Sequence, residues 1–443
     1  MKGRRGGRRR EAPRHRAPAI ARVAIESIAA GGEGVGRLPD GRAVFVHRTA
    51  PGDEVEIAIN VSRDRWARGT LQRLIVAGGD RREAPCPYYD RCGGCTLEHL
   101  RYEAQLAAKA RIVSDALTRI GGLPTPPPEV VASPRTERYR NRVSFTLRRE
   151  SAGGVVAGFH ALADPDAIVD IDGRCLLPEQ AIARVWDRLR ASWGRDARRL
   201  PSGEQLRLTL RATADGAVSL LIDGGVSPGR PEELIAAVEG LESIWHRPGS
   251  APATLLAGAP FLEERWGGES LPLAGEAFLQ VNREAAALLE EHLMELALPV
   301  AGLRVIDAYC GVGLHARRLA RAGAQVVGIE LDADAVEAAR RAGVPGTDFL
   351  LGPVEELLGP ALPASLVILN PPRGGIAPEV ADRLLAQPPE RILYVSCSPA
   401  TLARDLRRLA AGFRLDGVRS FDLFPQTAHV ETVASLRSTA QPI

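Results

Sequence analysis

From about residue 18 to 78 the apolar positions fall in short β-branched runs broken by glycine turns. Examples are Ala21-Arg-Val-Ala-Ile-Glu, Ala43-Val-Phe-Val and Glu54-Val-Glu-Ile-Ala-Ile. Many short strands with turn signals between them predict a small all-β barrel. The period then lengthens. Over 98–120, Leu100, Gln105, Ile112, Val113 and Leu117 recur at helical spacing, and Gly121-Gly122 with the prolines from Pro124 to Pro128 ends the helix in a linker. Residues 130–270 read as α+β. The last third reads βαβαβ, with near-continuous apolar strands at Leu303–Ile306, Gln325–Glu330, Ser365–Asn370 and Arg391–Ser396.

The expected fold is therefore multidomain: a tail over 1–17, an OB-like β-barrel over 18–78, an α+β central domain over 79–270 and an α/β Rossmann-like domain over 271–443. Helix 98–122 is a candidate to pack with the last of these.

Composition changes this picture little. The chain has 443 residues, 45% of them hydrophobic and 25% charged, as in globular proteins. No apolar run approaches the ~20 residues of a membrane span, and the N-terminus lacks an apolar signal core. A cytoplasmic monomer without membrane contact is the expectation. Net charge is +3, but Lys2, Arg4, Arg5, Arg8, Arg9, Arg10, Arg14 and Arg16 crowd the start. Such a tail suits RNA phosphates or is simply a solvated extension. Trp66, amid basic residues, is available to stack on a base, and Arg140 and Arg142 are further candidate RNA contacts.

Candidate chemistry lies at strand ends. Cys397 follows the strand Arg391–Ser396, and Pro399 and Thr401, a possible cap, open the next helix. Open α/β sheets bind ligands at such carboxyl ends, and a thiolate there is a candidate nucleophile; a buried structural Cys is the ordinary alternative. Gly311 and Gly313 follow the first strand of the α/β domain and allow a ligand close to the backbone. Glu330 ends the next strand, where a carboxylate would take ribose hydroxyls. The turn lacks the third glycine of a dinucleotide site, which favours S-adenosylmethionine. His429 and Glu431 share a face if they lie on a strand, and either could serve as a base. Cys86, Cys92 and Cys95, with Cys175 as the distant fourth, suit a [4Fe-4S] cluster, with four-cysteine zinc as the alternative.

Several motifs carry a resemblance. They are Phe278-Leu-Gln280-Val-Asn282, Asp307-Ala-Tyr309-Cys310-Gly311-Val-Gly313, Asn370-Pro-Pro-Arg373-Gly-Gly375, Tyr394-Val-Ser-Cys397-Ser-Pro-Ala-Thr401 and Phe421-Asp-Leu-Phe-Pro-Gln-Thr-Ala-His429-Val-Glu431. On these the chain resembles the RNA uracil-5-methyltransferases, the RlmD/TrmA family, and residues 18–78 resemble a TRAM domain. The resemblance implies methyl transfer from S-adenosylmethionine to uracil C5 in RNA. Cys397 would be the nucleophile at C6 and Glu431 the base. Gln280, Tyr309, Glu330 and Asn370 would line the cofactor site beside Gly311, Gly313 and Leu314, and the four cysteines would hold the [4Fe-4S] cluster.

A TRAM domain together with such a cluster implies 23S rRNA as substrate, with tRNA as the alternative. Three positions depart from the family pattern: Asn370 for the common Asp, Leu314 for a polar residue, and Ser398 for Asn. The rival readings are an exocyclic-amine methylase, whose Asn-Pro-Pro would continue with an aromatic where Arg373 stands, and a non-catalytic RNA-binding or ribosome-assembly factor.

Overall fold

The computed structural model describes residues 19–273 and 279–440. The basic tail and Phe278 lie outside the described residues. The chain divides into two compact units, Met1–Arg81 and Arg82–Ile443.

In the first unit, five strands close a barrel: Ala19–Ile28, Gly34–Arg37, Ala43–Val46, Trp66–Val76 and Glu54–Ser62, in that order around the wall. Period-two alternation sends Val23, Ile25, Val44, Val46, Val55 and Ile57 inward, where they are fully or almost fully buried. Closure leaves no free sheet edge. Trp66 is half-buried rather than open, with Phe45 edge-on at 6.2 Å and the Arg68 guanidinium 5.7 Å from its ring.

The second unit holds two large sheets. The first has seven strands, and its centre is Gln205–Ala212 paired antiparallel with Arg142–Arg149. Val143, Phe145, Leu147, Leu206, Leu208 and Leu210 face one side and join a core with the helix Gln180–Ser192, where Trp186 stacks on Phe145 at 4.1 Å. The opposite face mixes Arg142, Ser144, Thr209, Arg211, Ser219 and Ser243 with Leu221 and Trp245.

The expected iron–sulfur centre of this region is corrected by the structure. Among the described residues no group of three or more His, Cys, Asp or Glu side chains is arranged to hold a metal ion, which removes both the [4Fe-4S] cluster and the zinc alternative.

The second sheet has eight strands, ordered Thr347–Leu351, Gln325–Glu330, Arg304–Ala308, Leu366–Leu369, Arg391–Ser396, Glu431–Ser438, Phe413–Phe421 and Val130–Val131. The first five run parallel; Glu431–Ser438 runs antiparallel to both neighbours. Cores on both faces explain why these strands are apolar throughout. One core is built with the helices Arg283–Ala297 and Leu314–Arg321. The other is built with Tyr102–Arg119, Pro378–Ala386 and Pro399–Leu409.

The helix expected over 98–120 begins only at Tyr102. Leu97 and Leu100 are fully buried in a turn before it, and the Tyr89 hydroxyl meets His99 Nδ1 at 2.5 Å. No described helix is long and apolar enough to cross a membrane.

Candidate active site

Cys397 sits between the strand Arg391–Ser396 and the helix Pro399–Leu409. Ser398, not Thr401, is the cap: its Oγ accepts from Thr401 N at 3.4 Å, and Pro399 takes the first helical position. The Thr401 hydroxyl accepts from Ser398 Oγ at 2.9 Å and donates to the Arg373 carbonyl at 3.1 Å. The residue after the thiol thus shapes the loop through the helix start.

Glu431 reaches the same place from the neighbouring strand. The antiparallel ladder ends at Ser396 opposite Thr432, which sets Cys397 and Glu431 side by side beyond the last pair. Burial pushes the Cys397 thiol above its ordinary pKa; Glu431 adds to this, and Arg373, which hydrogen-bonds to the thiol, opposes it. Glu431 is 4% exposed, and burial pushes its carboxyl up to about 8 against the pull of Arg373. His429 is exposed in the loop before the strand, its ring edge-on to Phe424 at 5.9 Å. Of the two candidate bases, Glu431 is the one beside the thiol.

The electrostatic role of Arg373 had not been read from the sequence, although its place after Pro371-Pro372 marked a rigid loop. Asp405, fully buried, fixes that loop. Its Oδ2 accepts from Ile376 N at 3.0 Å and from the Tyr394 hydroxyl at 2.7 Å, and its Oδ1 accepts from Arg404 Nε at 2.9 Å. Arg404 Nη2 donates to the Gly374 carbonyl at 2.7 Å. Gly375, at φ 78°, lies so close that a Cβ there would collide with Asp405 and Thr401.

The cofactor candidates converge at the carboxyl edge of the parallel strands. Tyr309 follows Arg304–Ala308 at φ 62°, a strained value for a bulky residue. Gly311 N donates to Glu330 Oε2 at 2.9 Å, while Glu330 Oε1 accepts from Leu331 N at 2.7 Å and Asp332 N at 2.9 Å. Gly311 and Gly313 serve different ends. A Cβ on Gly311 would meet nothing within 4 Å, so the backbone there borders open space that a ligand can enter; a Cβ on Gly313 would fall 2.6 Å from the Phe349 ring.

Leu314 and Asn370, both half-buried, stand at the first turn of the helix Leu314–Arg321 and just past the strand Leu366–Leu369. Asn370 N donates to the Ala308 carbonyl at 3.3 Å. Gln280 is held through its carbonyl, which accepts from Asn141 Nδ2 at 3.0 Å. Asn282 caps the next helix and donates to Ser133 Oγ at 3.0 Å and to the Leu423 carbonyl at 3.3 Å.

The loop before Glu431 is clamped from distant parts of the chain. Lys109 and Asp422, both fully buried, form an ion pair, and Tyr102 donates to Asp422 Oδ2 at 2.9 Å. Gln426, at φ 69°, exchanges two hydrogen bonds of 2.9 Å with Gln105 and accepts from Arg82 at 3.0 Å. Tyr139 donates to the Pro425 carbonyl at 2.9 Å. Arg140 lies against the Tyr139 and Phe424 rings at 5.7 and 5.9 Å, so its head is committed within the protein.

Cys86, Cys92, Cys95 and Cys175 border one small cavity with Tyr88, Phe159 and Ile171. None of the six cysteines is in a disulfide. Burial pushes the Cys95 thiol well up and Cys175 to about 12.

The strand order, the open turn at Gly311 and the carboxylate at Glu330 define an S-adenosylmethionine-dependent methyltransferase. Comparison with known proteins narrows the class. The family model for tRNA (uracil-5-)-methyltransferase matches residues 361–439, the TRAM domain model matches 19–71, and a methyltransferase domain model matches 306–366. The chain is 38% identical to an RNA methyltransferase of Gloeobacter violaceus over 94% of this chain and 95% of that protein. It is 33% identical to one of Thermosynechococcus vestitus over 94% and 97%. Among solved structures, the Pyrococcus abyssi tRNA (uracil-54, C5)-methyltransferase in complex with S-adenosyl-L-homocysteine is similar with a TM-score of 0.72 and 27% identity, covering 94% of this chain and all of that one. The chain belongs to the TRAM-containing, S-adenosylmethionine-dependent RNA uracil-5-methyltransferase family.

Proposed function

We propose that this protein methylates C5 of a uridine in tRNA through a covalent adduct on Cys397. The observation that carries the reading is the placement of Cys397, Glu431 and Arg373 together at the carboxyl edge of the sheet.

Uracil C5 is a weak nucleophile until a group adds at C6. Arg373, hydrogen-bonded to the thiol, favours the thiolate, which forms the S–C6 bond and moves the C5–C6 π electrons towards O4. Tyr309, Gly311, Glu330, Asn370 and Gln280 would hold S-adenosylmethionine, with Gly313 and Leu314 shaping the turn. When bound, it supplies a methyl on a sulfonium leaving group. Glu431 then takes the C5 proton, the C5–C6 double bond re-forms, and the S–C6 bond breaks to release Cys397. A carboxyl poised near pH 8 is matched to proton transfer around neutrality.

The substrate choice moves from 23S rRNA to tRNA, because the matching family model and the similar Pyrococcus abyssi structure both name tRNA. The deciding experiment follows labelled methyl into unmodified tRNA and, separately, 23S rRNA, with wild type and Cys397→Ala in parallel. Label appearing as 5-methyluridine in tRNA, lost with Cys397→Ala, is expected. Label in 23S rRNA alone would overturn the substrate, and label that survives Cys397→Ala would overturn the adduct.

A further inference from the structure

The segment that carries Glu431 opens a single side chain to solvent. From Phe421 to Ala434 every residue is buried except Phe424, which is half-buried, and His429, which is exposed. The backbone that presents this imidazole is tied down. Thr427 Oγ1 donates to the Phe424 carbonyl at 2.8 Å, Ala428 N to Thr96 Oγ1 at 3.2 Å, and His429 N to Thr427 Oγ1 at 3.3 Å. Only Val430 separates the ring's residue from the acid beside the thiol.

Phe424 fixes the plane of the ring, packing against it at 5.9 Å and 73°, and the Arg140 guanidinium lies against the Phe424 ring in turn. Although water reaches the imidazole, the protein atoms crowded round it push its pKa down to about 4, helped by Arg373, Arg140 and Lys109. A side chain both accessible and crowded lines a cleft. Arg373 is also the guanidinium that acts on Cys397 and Glu431, so all three groups border the same space. At neutral pH the ring is uncharged, and it offers that space an aromatic face whose orientation is already set.

Attack at C6 comes perpendicular to the uracil plane, so the target base has to leave its stack. Both of its faces then serve the chemistry, because at C5 one face takes the methyl and the other gives up the proton. The base beside it in the strand loses its stacking partner.

We propose that His429 is a stacking platform for the nucleobase next to the target uridine, replacing the lost stack while Cys397 and Glu431 act. This contact presupposes the reading of the protein as an RNA uracil methyltransferase and adds a residue that positions the RNA strand.

The test compares wild type with His429→Ala, His429→Phe and His429→Asn. Affinity and single-turnover methyl transfer are measured on the RNA that wild type methylates, a tRNA transcript or a 23S rRNA fragment. The same RNA is also made abasic on the 5′ or the 3′ side of the uridine found as 5-methyluridine. S-adenosylmethionine binding and the melting temperature are followed alongside. His429→Ala is expected to bind intact RNA about tenfold more weakly, as for one lost base stack, with cofactor affinity and melting temperature unchanged. His429→Phe keeps most of the affinity, and His429→Asn behaves like His429→Ala. On one side of the uridine, the abasic site weakens wild type but costs His429→Ala little more, since the two share one contact.

Unchanged RNA affinity in His429→Ala would overturn the platform, as would abasic losses equal in wild type and His429→Ala on both sides. Rescue by His429→Asn and not by His429→Phe would make the imidazole a hydrogen-bonding group and overturn stacking. A loss common to all three variants with a lower melting temperature would make His429 structural, which overturns it too. Failure of wild type to methylate either RNA would bring down the underlying functional reading instead.

Discussion

Cys397 and Glu431 stand side by side because the ladder between their strands ends one pair earlier, at Ser396 and Thr432. Glu431 makes the Cys397 thiol harder to ionise, and both groups sit where burial already disfavours charge. The rate of methyl transfer is therefore expected to rise with pH towards a limb near 8. Glu431→Gln should accept the methyl yet fail to release the RNA, leaving a protein–RNA adduct that denaturing gels detect. Turnover at the wild-type rate in that variant would remove Glu431 as the base.

The same carboxyl makes stability depend on pH. Its folded pKa, about 8, lies above the ordinary value of 4.5, so between these values the folded state binds the extra proton. Its contribution is fully present below about pH 4.5 and is lost as pH rises through 8, on the order of 5 kcal/mol at most. Glu431→Gln should consequently raise the melting temperature at pH 9 and leave it nearly unchanged at pH 5. Equal shifts at both values would contradict the buried, proton-binding acid.

Asp405 gathers Tyr394, Ile376 and Arg404 around one buried carboxylate. Asp405→Ala strands a buried hydroxyl and a backbone N–H and frees the loop that carries Arg373. A loss of roughly 3 kcal/mol in denaturant unfolding is expected, with turnover falling more steeply than cofactor affinity. Urea unfolding and cofactor titration together check this.

Lys109→Met leaves Asp422 buried without its cation, at a cost of about 3 to 5 kcal/mol. Replacing both partners, Lys109→Met with Asp422→Leu, should recover part of that stability without restoring activity, since Tyr102 and the loop lose their anchor. Thermal melts of the two single variants and the double variant give the coupling directly.

Gly311→Ala and Gly313→Ala should separate cleanly. Both positions have positive φ, 54° and 73°, but only the second lacks room for a methyl group. Gly313→Ala is expected to destabilise the protein by about 2 kcal/mol or more. Gly311→Ala should cost less stability and weaken S-adenosylmethionine binding, because its Cβ enters the open side. Calorimetric titration with melting curves distinguishes them.

Much of this architecture was legible locally. Period-two runs marked the barrel, and continuous apolar strands marked the covered parallel sheet. The breaks after them placed Gly311, Glu330, Asn370 and Cys397 at strand ends. What escaped was long-range pairing. Lys109 and Asp422 are 313 positions apart, and nothing near either announces the other. Ser398 and Thr401 are both ordinary cap residues, and only the helix start decides between them. The close spacing of Cys86, Cys92 and Cys95 suggested a metal, but the described residues arrange no metal-holding group there.

The clamp between Lys109 and Asp422 also has a consequence in time. At about 5 to 20 residues per second, the ribosome makes Asp422 on the order of 15 to 60 s after Lys109. During that interval the helix Tyr102–Arg119 has neither its counter-ion nor the loop that Gln105 grips. A nascent chain stalled before Asp422 would hold an ammonium that cannot be buried alone. The late arrival of one carboxylate thus gates the docking of an early helix, and incomplete chains stay open to chaperones and proteases instead of closing around a half-built site.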